Sequence, residues 1–87
     1  MARFTRIETV LRMTETGMVP VFYNPNPEIC REVIKACWKG GSSVVEFTNR
    51  GDFAHEVFAE LSKWAAKECP GRILGAGSVP DAATASI

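Results

Sequence analysis

The chain has 87 residues, ten basic and ten acidic side chains with no net charge, and 46% hydrophobic residues, which describes one soluble globular domain, residues 1–87, with a small core. Its six arginines and four lysines are scattered among acids, so no basic stripe exists to hold a phosphate backbone, and nucleic acid is excluded as a partner. No apolar run approaches the ~20 residues that span a bilayer, and the charged opening MARFTRIETVLRMTETG is no secretory leader. Glu8 and Glu15 also argue against an amphipathic targeting helix, so the cytoplasm is the expected location, with no membrane partner.

Residues 3–16 place Phe4, Ile7 and Val10 or Leu11 at helical spacing, and Gly17 stops the pattern; this predicts an amphipathic helix closed by glycine. Residues 18–23, MVPVFY, read as a short strand, with Pro20 tolerable near its start. In the turn that follows, Asn26 can cap free amides while Pro27 takes the first helical position. Ile29, Val33, Ala36 and Cys37 repeat at i, i+4, i+7 and i+8, predicting that face as the packed one, and Gly40-Gly41 ends the helix.

Residues 43–48 form the second strand-like run, and Asn49-Arg50-Gly51 leaves it. Asp52 is expected to cap a third helix reaching about Cys69, packed through Val57, Leu61, Trp64 and Ala65 with Phe58 beside them. Residues 72–77, RILGAG, are a third strand, and an alanine-rich helical turn follows with Asp81 as its expected cap. Cys30, Cys37 and Cys69 are odd in number and form no C-x-x-C pair, so they read as small buried hydrophobes instead of a disulfide framework or metal knuckle.

Near-continuous apolar strands that alternate with helices, starting roughly 25 to 30 residues apart, are the pattern of β/α units in a parallel sheet. Right-handed crossovers bring the three strand exits to one end. Three such strands leave two open edges, and the sequence stops within a helical pattern. The expectation is the first part of a larger protein, or else a three-strand unit stabilised by self-association.

The run VVEFTNRGDF carries an acid inside an apolar strand. Alternation sends Val45 and Phe47 to one face and Val44, Glu46 and Thr48 to the other. If the sheet closed into a barrel, Glu46 and Thr48 would face its interior, where burial lets a carboxyl keep a proton for acid–base work. Arg50, just past the strand, offers a guanidinium fork suited to a carboxylate or phosphate. A simple Glu46–Arg50 salt bridge fits the same residues. Gly75-Ala76-Gly77-Ser78 matches neither the dinucleotide fingerprint nor the P-loop; it permits close approach of a ligand, with Ser78 at the mouth, or is merely a tight strand exit. His55 is alone on its helix turn and indicates no metal. Trp38 and Trp64 read as packing residues.

GMVPVFY, VVEFTNRGDFAHEVFAEL and ILGAGSVPDAATA together resemble the N-terminal part of the class I aldolases that cleave 2-keto-3-deoxy-6-phosphogluconate and 4-hydroxy-2-oxoglutarate. The resemblance covers essentially the whole chain, and the E-x-T-x-R and GAG-S/T-V motifs are specific only in combination. It implies an α/β fold, namely the first three β/α units, with a preceding helix, of a (β/α)8 TIM barrel that commonly assembles as a trimer. It implies a lyase that forms pyruvate and an aldehyde through a Schiff base, without metal or cofactor, on a small anionic keto acid. Glu46 would be the general acid–base, acting through a water, and Arg50, Thr48 and Ser78 would contact substrate. The family's nucleophilic lysine lies on a later strand, and Lys35, Lys39, Lys63 and Lys67 all fall on predicted helices. The 87 residues alone are therefore expected to be inactive, or to form a non-catalytic, self-associating half-barrel.

Overall fold

The computed structural model describes residues 3–80 and 82–86. Helix α1 (Arg6–Thr16) is followed by strand β1 (Val21–Phe22), helix α2 (Pro27–Lys39), strand β2 (Val44–Thr48), helix α3 (Ala54–Glu68), strand β3 (Ile73–Gly77) and the short helix α4 (Ala82–Ala85). The three strands form one open parallel sheet in the order β1-β2-β3. The architecture is thus α/β: consecutive β/α units behind a leading helix, the arrangement of the first three units of a β/α barrel. The Asp81 cap expected for the last helix lies outside the described residues.

Local chemistry sets where each helix begins. The Thr5 hydroxyl accepts from the Glu8 N–H at 3.0 Å while the Glu8 carboxylate accepts from the Thr5 N–H at 3.3 Å. This reciprocal box starts α1 at Arg6, not at residue 3. Gly17, at φ 68°, closes the helix by donating its N–H to the Met13 carbonyl. Asn26 caps α2 as expected, its Oδ1 accepting the Glu28 N–H at 2.9 Å with Pro27 at the first helical position.

Helix α3 departs from the Asp52 expectation. Phe53, at φ 58°, occupies the cap position with no side-chain bond, and the first amides are taken by the backbone carbonyls of Gly51 and Phe53. A backbone turn does the work assigned to Asp52. Strand β1 is also shorter than 18–23, because only Val21 and Phe22 pair with Glu46 and Phe47.

The core lies between the sheet and helices α2 and α3. Val45 and Phe47 from β2 meet Cys30, Ile34 and Trp38 from α2 and Leu61 and Ala65 from α3. The packed face of α2 therefore differs from the expected Ile29, Val33, Ala36 and Cys37. Ile29 and Ala36 are exposed, and Cys37 is only half-buried, as is Cys69. The reason is tertiary: Trp38 stacks on Trp64 of α3, with centroids 5.8 Å apart and planes 6° apart, which turns α2 so that its largest side chain is buried. On α3 the expected residues do face the core.

Helix α1 buries none of its residues, leaving Ile7, Val10 and Leu11 exposed. It contacts β2, and it is tied to the approach into β3: Arg3 donates to the Pro70 and Arg72 carbonyls and Arg12 to the Gly71 carbonyl at 2.9 Å. Val44 and Ile73, register partners at that end of the sheet, are both buried.

Candidate active site at the strand exits

Parallel register places Val21, Glu46 and Gly75 in one row and Thr48 beside Gly77 in the next along the same face. That face is opposite the helix-covered face of Val45 and Phe47. Glu46 and Thr48 are half-buried there, so the sheet presents Glu46 on an open surface and not within a closed barrel.

The Glu46 side chain leans along its strand toward the exits, as strand side chains do. Its carboxyl group rests over Gly77: a Cβ built on Gly77 would lie 2.9 Å from the Glu46 Cδ and Oε2 and 3.0 Å from Oε1. Glycine at 77 is therefore the seat of the carboxylate. Thr48 contributes a hydroxyl oxygen that is buried and, among the described residues, without a hydrogen-bond partner, an unusual state for a buried polar atom.

Arg50 stands exposed beyond the strand, its N–H donating to the Thr48 carbonyl at 3.0 Å. Among the described residues it forms no ion pair with Glu46; the ion pair there is Lys35–Glu32 at 3.9 Å on α2. Ser78 is exposed at the exit of β3. Glu46, Thr48, Arg50 and Ser78 thus share one end of the sheet.

Two residues whose contacts were not anticipated from the sequence hold the exits together. The Asn49 N–H donates to the Gly77 carbonyl, and the Asn49 side-chain amide donates to the Ser78 carbonyl at 3.3 Å. Tyr23, leaving β1, packs on Phe47 with centroids 5.5 Å apart, and its hydroxyl lies so close to Gly51 that a Cβ there would overlap it. A polar side chain at a strand exit and a glycine one turn later were the available signals for both.

The remaining reactive groups lie elsewhere. Burial pushes the Cys30 thiol up from its ordinary value, the Asn24 carbonyl that accepts from it offsetting this only in part. Burial, then the nearby Glu68 carboxylate, does the same to Cys69. Neither is an activated nucleophile. All four lysines are exposed on α2 and α3; Lys35 and Lys39 line a cleft with Cys69 and Arg72 at the opposite end of the sheet. An apolar cavity of about 530 Å³ between α3 and β3, lined by Phe47, Phe58, Ala76 and Val79, is on the other face from Glu46. His55, exposed, sits at its rim. Among the described residues no group of three or more histidine, cysteine or acidic side chains could hold a metal ion, and no helix is long and apolar enough to cross a membrane. No protein-family model matches the chain, and no curated protein matches it.

Proposed function

We propose that this chain carries the acid–base half of a pyruvate-forming aldolase site, of the kind its sequence resembles. The observation that supports the reading best is the Glu46 carboxyl seated over Gly77 on the open face of a parallel sheet, at the end where Thr48, Arg50 and Ser78 also lie. Strand exits of parallel α/β sheets are where such folds place their chemistry.

In this reading the substrate is a small 2-keto-4-hydroxy acid. Arg50 holds its carboxylate or a distal anion by charge-assisted hydrogen bonds, and the Thr48 and Ser78 hydroxyls bond the pyruvyl oxygens. Glu46, through a water, gives a proton to the carbinolamine hydroxyl so that it leaves as water, and takes the 4-hydroxyl proton as the carbon–carbon bond breaks. It then returns a proton to the enamine carbon. The amine must come from a lysine outside these 87 residues, because Lys35, Lys39, Lys63 and Lys67 stand on the helices that cover the other face.

Borohydride reduction in the presence of pyruvate tests this division. The 87-residue chain is expected to gain no covalent adduct, whereas a longer chain that supplies further barrel strands is expected to gain one on a lysine of the added part. An adduct on any of the four lysines present would overturn the assignment.

A second reading, a non-catalytic half-barrel that associates with its own copies, is favoured by one observation. Both outer strands lack partners on one side among the described residues, while Ile7, Val10, Leu11, Met18 and Val21 remain exposed. Sedimentation across a hundredfold concentration range decides it: a constant monomer mass would remove it.

A further inference from the structure

We propose that Asn49 is a positioning residue that sets where the Glu46 carboxyl and Ser78 stand relative to each other; the functional part of this rests on the aldolase reading above. Asn49 is the first residue beyond β2, and it engages two consecutive carbonyls of the neighbouring strand exit. Its N–H extends the sheet ladder to Gly77, and its side-chain amide reaches Ser78 at 3.3 Å.

Those two residues are the ones that matter to the site. Gly77 carries the surface on which the Glu46 carboxyl rests, and Ser78 supplies the hydroxyl at the mouth. One residue therefore ties both: its backbone N–H holds Gly77, the seat of the acid–base, and its side chain holds the backbone of the neighbouring Ser78. Asparagine suits the task chemically: it is neutral, short enough to lie against the adjacent strand, and has a donor for a carbonyl. An aspartate of the same shape would set a carboxylate against the Ser78 oxygen, and leucine would offer no donor.

The experiment uses the 87-residue chain, its Asn49→Leu and Asn49→Asp variants, and sodium pyruvate as the probe. Nitrogen-15 relaxation reads the order of Ser78 and Val79, and amide shifts read pyruvate binding. In the parent chain Ser78 is expected to be as ordered as β3. Asn49→Leu loosens Ser78 and Val79 and weakens pyruvate binding roughly fivefold to tenfold, the worth of one neutral hydrogen bond, while the β2 and β3 interiors keep their shifts. Asn49→Asp loosens the same residues at neutral pH and regains order as its carboxyl is protonated and becomes a donor.

Unchanged order and unchanged pyruvate affinity in both variants would overturn the proposal. Loosening of Ser78 with unchanged affinity would reduce Asn49 to a structural tie. A parent chain that ignores pyruvate sinks the aldolase reading and the positioning role with it, and the relaxation data then decide the tie alone. Should Asn49→Leu fail to fold, the pH response of Asn49→Asp carries the same decision.

Discussion

Beyond Val44, which is buried at the start of the strand, the two faces of strand β2 follow opposite rules although they alternate residue by residue. Val45 and Phe47 are 0% and 1% exposed against α2 and α3. On the other face, the row through Glu46 runs from Val21, 56% exposed, to Gly75 with open space above it. Burial holds the helix-covered face together, whereas the open face carries the half-buried Glu46 with its carboxyl resting over Gly77. A strand can thus anchor the core and present chemistry at once, because its side-chain period is two.

Substitutions on the two faces should differ by their full range. Phe47→Ala, which removes a ring packed against Phe22, Tyr23 and Phe58, is expected to cost about 3–5 kcal/mol, enough to unfold a domain of this size. Val21→Ala on the exposed face should cost less than about 1 kcal/mol. Urea denaturation measures both. Equal losses would erase the distinction between the faces.

A smaller effect comes from Cys30, buried on the helix side. Its thiol is raised in the folded chain, so the unfolded chain ionises first as pH increases. The corresponding stability is complete below the ordinary thiol value and is lost as pH rises through the folded one. Cys30→Ala should therefore flatten the alkaline fall of the melting temperature above about pH 9, while lowering stability at neutral pH through lost packing. An unchanged alkaline slope would contradict the burial argument.

The smallest change in stability is expected at Gly77→Ala on the open face. The added methyl meets the flexible end of Glu46, not backbone, so the carboxyl moves aside and the midpoint shifts by less than about 0.5 kcal/mol. Its consequence is local: the Glu46 side-chain resonances move while those of the Phe47 core stay. A large loss of stability would mean that the carboxyl cannot yield.

Much of the fold was legible because its signals are local. Asn26-Pro27 caps α2, Gly17 closes α1, and the alternation in VVEFT assigns the faces of β2. The Thr5-x-x-Glu8 spacing also stands in the sequence and marks the true start of α1. The packed face of α2 was not legible: the set Ile29, Val33, Ala36, Cys37 and the set Cys30, Ile34, Trp38 both fit a helical period, and only the Trp38–Trp64 stack chooses between them. The cap of α3 depended on Phe53 adopting a left-handed conformation, which no side-chain preference announces. At the site, alternation and the strand-exit position brought Glu46, Thr48, Arg50 and Ser78 to one end. The Asn49 bridge and the Gly77 seat join residues of two different strands, and they emerge only from the register.

Pyruvate titration of the nitrogen-15 labelled chain, followed residue by residue, tests the central claim most directly. Shifts should concentrate at Glu46, Thr48, Arg50, Gly77 and Ser78, and should weaken when Glu46 is replaced by glutamine. Shifts centred instead on the apolar cavity between α3 and β3, or none at all at the strand exits, would contradict it.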